Sequence, residues 1–316
     1  MGSAIGPNRI VTEPGAAAQS MGIARTSPAH ATRWPQKRDT QRAMAISSVP
    51  PLLLGALLGT APPTAQPRTP LVRVVYEEPK KPEHAAAAEW VKQEHVLDDA
   101  AGMLSIMRLP KLLTLRAQSC GESNAWYDEE TQILTFCYEL VNDFIKLGER
   151  AGQFNLTAEQ AVVGPLLFIV FHETAHAVFH ILAIPVLGPE EDAADRVAVY
   201  AATAFGGDFA ERMLRAAAFM YDTDSKARKP GEADFADVHG LDRKRFYNVL
   251  CLAWGADHKL YEFARDLGKL PQERADGCSD EYEQVRYAVQ VLILKNVDMK
   301  AMARERLKAA RSRLAR

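Results

Sequence analysis

The stretch that most restricts the fold is His172 to His176, which reads His-Glu-Thr-Ala-His inside an otherwise apolar segment from Leu166 to Ile184. The apolar composition predicts a buried helix, and burying polar side chains without partners is costly. On a helix, residues four apart differ by about 40° in direction and about 6 Å in rise. The two imidazoles therefore leave one face together, which favours the binding of a single metal ion, with zinc the ion expected.

Glu173 follows the first histidine directly, so it is predicted to hold a water molecule rather than the metal. The alternative interpretation is a pair of core histidines whose hydrogen bonds are satisfied within the protein. His180 lies one further turn along and is expected to pack or to support its neighbours, because it is about 12 Å of rise from His172.

The third ligand is expected after a chain reversal at Pro185, Gly188 and Pro189. The helix predicted to follow opens with acidic residues, which are also ordinary partners of a helix N-terminus. Glu191 and Asp195 are four apart and share one face. We predict Glu191 as the third ligand and Asp195 as the acceptor of an imidazole N–H. Glu190 is the main alternative for the metal.

These motifs resemble two known groups. His172-Glu173-x-x-His176 followed by Glu191-x-x-Ala194-Asp195 is similar to the Glu-zincin metallopeptidases, in which a downstream helix supplies the third ligand. The runs 120–127 and 137–140, followed by the histidine helix, resemble a bacterial metallopeptidase family classed as a domain of unknown function, over about residues 70 to 297. The resemblance implies a zincin-like α+β fold and a peptide or protein substrate.

The function predicted on this basis is hydrolysis of peptide bonds by a zinc-activated water. His172, His176 and Glu191 would hold Zn²⁺, and Glu173 would act as general base. A further group should stabilise the oxyanion, with His239, Arg245 and Tyr247 as candidates. The alternative is a catalytically silent, secreted zinc-binding or interaction module. No feature of the sequence specifies an oligomeric state.

Residues 1–66 are predicted to form a disordered leader. An apolar run from Val49 to Ala61 follows four basic residues between positions 33 and 42 and precedes small residues, which is typical of a signal peptide cleaved after Ala65. The run is too short for a stable transmembrane anchor. This predicts an exported protein, whereas a cytoplasmic protein with a low-complexity linker is the alternative. A metallopeptidase domain is expected over 67–298 and a basic, solvated or frayed tail over 299–316.

The four cysteines favour export as well. Cys120 and Cys137 flank a predicted hairpin, and Cys251 and Cys278 are the remaining pair. Four cysteines permit three pairings, of which 120–137 with 251–278 is the local choice. The alternative is four free thiols in a cytoplasmic protein.

Composition and periodicity complete the prediction. The 316 residues are 47% hydrophobic with a net charge of −2, which indicates one sizeable core and no nucleic-acid partner. Strands at 71–76 and 111–116 and a hairpin at 124–135 predict a small, mostly antiparallel sheet, whose hairpin could supply an edge strand beside the cleft.

The remainder is predicted to be mainly helical. It includes one helix over 82–107, a break or kink at Gly164-Pro165, a polar loop over 222–238 that borders the cleft, and helices at 242–254, 258–267 and 280–296.

Overall fold

The computed structural model describes residues 71–316 except 228, 267–268, 313, 315 and 316. All of these residues belong to one compact unit. The signal peptide predicted at Val49–Ala61 and its cleavage site lie outside the described residues.

A four-stranded sheet forms one side of the described domain. Its strands are β1 (Val72–Tyr76), β2 (Leu113–Gln118), β3 (Ala125–Asp128) and β4 (Ile133–Cys137), in the order β1-β2-β4-β3. β2 runs parallel to β1 and to β4, and only β3 pairs antiparallel with β4. The α+β class is confirmed, but the mostly antiparallel sheet is wrong.

The parallel pairing has a topological cause. Helices carry the chain back between β1 and β2, so both strands run in the same direction. The chain then passes beyond β2 to form β3 and returns, which inserts β4 between them. β3 is consequently an edge strand, as is β1 at the other end of the sheet.

The rest of the domain is helical. The helices are α1 (Ala85–Gln93), α2 (Val96–Leu104), α3 (Tyr138–Gly148), α4 (Ala158–Ile181), α5 (Glu190–Phe205), α6 (Gly207–Ala227), α7 (Glu232–Ala236), α8 (Asp242–Ala256), α9 (Phe263–Asp266), α10 (Gln272–Ala275), α11 (Cys278–Leu292) and α12 (Met299–Ala309). Short 3₁₀ turns cover Pro82–His84, Ala151–Phe154 and Leu294–Asn296.

Three predicted helix boundaries were wrong. The helix expected over 82–107 is broken at His95, whose φ of 53° is left-handed and ends the run before α2. The loop expected over 222–238 begins only after α6, because the buried Asp222 is paired with Lys226 one turn on and with Arg243 of α8. Among the described residues from 258 to 266, only those of the short α9 are helical.

The predicted basic tail also differs from the structure. Its helix α12 buries Met302 and Ala309, and Arg306 Nε donates a hydrogen bond to the Phe205 carbonyl at the end of α5. The helix therefore packs onto the domain instead of extending into solvent.

α4 is the central helix. Thr157 and Gln160 form the predicted capping box, with Thr157 Oγ1 accepting from the Gln160 N–H at 3.1 Å and Gln160 Oε1 from the Thr157 N–H at 3.0 Å. Pro165 lies inside one continuous helix, so no new helix starts there. Among described residues, α4 alone is long and apolar enough to cross a membrane, but 78% of its most apolar window is buried within the domain.

The close approach of α4 to α6 depends on Gly164. A Cβ at this position would lie 2.4 Å from Ala216 Cβ, well inside van der Waals contact. We expect Gly164→Ala to lower the free energy of unfolding, because overpacking typically costs about 1–3 kcal/mol. That cost exceeds the helix propensity gained, which is at most about 1 kcal/mol. Thermal unfolding of Gly152→Ala is the control, because nothing lies within 4 Å of a Cβ there. An equal melting temperature for both variants would contradict this packing.

Two disulfides are present, Cys120–Cys137 and Cys251–Cys278, so the predicted local pairing is confirmed. The first joins the chain just after β2 to the end of β4, and the second joins α8 to α11. Such bonds are typical of proteins that fold in an oxidising compartment.

Candidate metal centre

His172 and His176 leave the same side of α4, and their Nε2 atoms are 3.3 Å apart. Both face the carboxylate of Glu191, with His172 Nε2 at 3.0 Å from Oε2 and His176 Nε2 at 3.4 Å from Oε1. Two imidazoles and one carboxylate are a common zinc donor set. With metal–ligand bonds of about 2.0–2.1 Å, tetrahedral ligand atoms lie about 3.3 Å apart, so these spacings fit a zinc ion.

The reversal between α4 and α5 creates this convergence. Ala183 and Gly188 have φ values of 50° and 100°, and Pro189 precedes the first turn of α5. Glu191 then faces the histidines. Glu190 instead contacts the other ring nitrogen of His176, with Oε1 at 2.7 Å from Nδ1. It lies outside the group formed by His172, His176 and Glu191, whose ligand atoms are all within 4.8 Å of one another.

The surrounding carboxylates favour positive charge on the group formed by His172, His176 and Glu191, here called the cluster. Burial lowers the pKa of His172, but hydrogen bonds to Asp195 and Glu191 outweigh burial and raise it to about 9. Burial would raise the pKa of Glu191, but both histidines hold it well below its usual range. A cation is therefore electrostatically favoured at this position.

Asp195 lies behind His172 and is only 3% exposed. Its Oδ1 is 2.8 Å from His172 Nδ1, the ring nitrogen that faces away from Glu191. Burial would raise the pKa of Asp195, but hydrogen bonds from Arg245 and His172 lower it to about 2. The ionised carboxylate fixes the orientation of the ring and leaves Nε2 directed at the cluster.

Arg245 and Tyr221 complete the support of Asp195. Arg245 donates from Nε to Oδ2 and from Nη2 to Oδ1, both at 2.8 Å, and its guanidinium lies 4.6 Å from the centre of the Tyr221 ring. The Tyr221 hydroxyl donates to Oδ1 at 3.3 Å. Sequence reasoning missed Tyr221. A buried tyrosine needs a hydrogen-bond partner, but nothing in the sequence identifies which one.

The three oxyanion candidates lie in different places. Arg245 is engaged with Asp195, and the Tyr247 hydroxyl accepts from Arg243 at 3.0 Å. His239 is 59% exposed, with Nε2 3.6 Å from Glu191 Oε2 and Nδ1 3.0 Å from Asp237 Oδ1. Of the three, His239 is therefore the group that approaches Glu191 from the solvent side.

Glu173 faces the sheet. Its Oε2 accepts the backbone N–H of Tyr127 in the edge strand β3 at 3.0 Å. Burial raises the pKa of Glu173, and the negative charge of Glu191 adds to this effect against the opposing influence of the two histidines. His180 lies one turn further along α4 and contacts the Tyr127 hydroxyl at 3.0 Å, so it supports β3 and not the cluster.

A cavity of about 200 Å³ opens beside these groups. His172 and Glu173 line it on one side, and His239 and Arg245 line it on another. A ligand in this cavity would therefore meet His172 and Glu173.

An α+β domain in which two consecutive helices direct two imidazoles and a carboxylate to one point defines the general class, a protein with a candidate metal centre. Residues 76–293 match DUF4344, the family described as "Putative metallopeptidase", and the chain belongs to that family. The match includes every residue of the cluster and confirms the predicted family. Neither a curated protein nor a solved structure matches the chain.

Proposed function

We propose that the protein is a zinc-dependent peptidase in which His172, His176 and Glu191 hold the metal. The observation that carries this proposal is the convergence of both Nε2 atoms on the Glu191 carboxylate at 3.0–3.4 Å. When bound, zinc would supply a Lewis acid that polarises the scissile carbonyl and makes a water more acidic. Membership of a family described as metallopeptidases supports the same class of reaction.

Glu173 is the proposed general base. It is adjacent in sequence to His172, lines the cavity and is held by the Tyr127 N–H through one oxygen. This contact orients the carboxylate, which would take the proton of the attacking water and return it to the leaving amine.

His239 is the proposed donor to the oxyanion. Its exposed ring lines the cavity, and the contact with Asp237 orients it so that Nε2 remains directed toward Glu191. A donor placed before the reaction stabilises charge that develops on the substrate carbonyl oxygen.

β3 is the proposed docking strand for the substrate. It is the sheet edge nearest α4, and the Tyr127 N–H that faces away from β4 already points to Glu173. An extended peptide could pair with such an edge by backbone hydrogen bonds. The two disulfides further support an exported location for this activity.

Metal analysis tests the ligand assignment. We expect stoichiometric zinc in the purified wild type and little in His176→Ala or Glu191→Ala, because each loses one of three ligands. Glu190→Ala is the matched control: it removes the neighbouring carboxylate, which contacts His176 at Nδ1 and not at Nε2, and should retain zinc. Elemental analysis after dialysis measures the content. Full zinc occupancy in Glu191→Ala would exclude Glu191 as a ligand.

A further inference from the structure

Three cavities meet at one residue near the end of α6. The cavity beside the candidate metal centre, here called the site cavity, measures about 200 Å³, and its neighbours measure about 370 and 320 Å³. Among the described residues, Asp224 alone lines all three. A substrate that extends from Glu173 into either neighbouring cavity would therefore pass the carboxylate of Asp224.

One part of the site cavity wall is apolar, beside polar groups that include His172, Asp224 and Asp242. Leu140 and Phe144 come from α3, Ile169 from α4 and Met220 from α6. Phe144 and Met220 are each only 5% exposed, so they present fixed surfaces. Walls of this kind favour the methylene groups of a substrate side chain over a short polar one.

Asp224 adds a negative charge to this cavity. Within the described part of the chain it makes no hydrogen bond or ion pair, whereas Arg245 is engaged by Asp195 and Arg243 by Asp222. Asp224 is solvent-exposed at the edge of the cavity, but partial desolvation of its carboxylate and repulsion by Asp242 raise its pKa to about 6, with Arg150 offsetting this only in part. The carboxylate is thus mainly ionised at neutral pH and favours a cation nearby.

We infer that Asp224 and the apolar walls form a specificity pocket for a long basic side chain, lysine or arginine, of the substrate peptide. Lysine and arginine combine an apolar stem with a charged head, so each part finds a matching surface here. This inference rests on the proposed function, since it assigns the substrate class of the same site.

Two pools of randomised hexapeptides test the pocket, one with a fixed central lysine and one with norleucine, which keeps the stem and lacks the charge. We expect the zinc-loaded wild type to cleave the lysine pool with at least about tenfold higher kcat/KM, because the Asp224 carboxylate would pair with the lysine ammonium group. Asp224→Asn should bring the ratio of the two pools close to one. Asp208→Asn is the matched control, because it removes the same charge from an exposed position of α6 outside the three cavities, and should keep the wild-type ratio.

Binding to Glu173→Gln separates this inference from the proposed function. Fluorescence anisotropy with labelled pools needs no turnover, and we expect tighter binding of the lysine pool that depends on Asp224. If the wild type cleaves both pools without preference for lysine, the specificity pocket is contradicted and the proposed peptidase activity is supported. If neither pool is cleaved but the lysine pool binds in a manner that depends on Asp224, the proposed peptidase activity is contradicted and the specificity pocket is supported. Equal binding of both pools would also overturn the pocket.

Discussion

Glu173→Gln should lower kcat/KM at least a hundredfold on any peptide that the wild type cleaves, while zinc binding and the fold are retained. Glutamine keeps the size of the side chain and can still accept the Tyr127 N–H through its carbonyl oxygen. It cannot take a proton from water, and positioned general acid–base catalysis contributes about 10²- to 10⁴-fold.

The matched control for this variant is Glu159→Gln. Glu159 is an exposed residue in the first turn of the same helix, so the same isosteric change removes the same charge away from the cluster. We expect its kcat/KM to stay within about twofold of wild type, as for an ordinary surface substitution. A zinc-loaded Glu173→Gln protein that cleaves at nearly the wild-type rate would remove Glu173 from the mechanism.

Arg245→Met should cause the largest loss of stability among the site variants. The change leaves the Asp195 carboxylate buried with only His172 and Tyr221 as partners, and breaking a buried ion pair costs about 3–5 kcal/mol. Asp195 would then orient His172 less well, so zinc affinity should fall about 10- to 100-fold. Urea unfolding of the metal-free protein measures the first effect, and competition with a chelator measures the second.

Two further variants show whether Arg245 acts through Asp195. Lys244→Met removes an exposed charge from the adjacent position of α8, paired only with Asp192, and should leave zinc affinity close to wild type. In an Asp195→Asn background, Arg245→Met should weaken zinc binding much less than it does alone, because the two changes interrupt one contact. Equal zinc affinity of Arg245→Met and Lys244→Met would contradict the positioning role.

The candidate metal centre shows how much of the site local sequence patterns predict. The i, i+4 spacing of His172 and His176 depends only on helix geometry, and the capping box at Thr157 depends on residues three apart. The disulfide pairing could also be predicted from the sequence, because the two cysteines of each pair are close along the chain, with separations of 17 and 27 residues. The position of Glu191 followed from a short reversal, although only the structure shows that Glu191 and not Glu190 faces both Nε2 atoms.

Contacts between distant segments were decided by the tertiary structure. The bond from Arg245 to Asp195 joins residues 50 apart, and nothing local distinguished Arg245 from an oxyanion donor. Glu173 accepts a hydrogen bond from the backbone N–H of Tyr127. Every residue except proline has this group, so the identity of residue 127 could not predict the contact. The prediction of a mostly antiparallel sheet was wrong for the same reason: β2 and β3 are neighbours in sequence, but the insertion of β4 between them, parallel to β2, depends on packing against the whole domain. The sequence thus determined which chemical groups each helix presents, because periodicity is a local property, whereas their partners depended on how the segments pack in three dimensions.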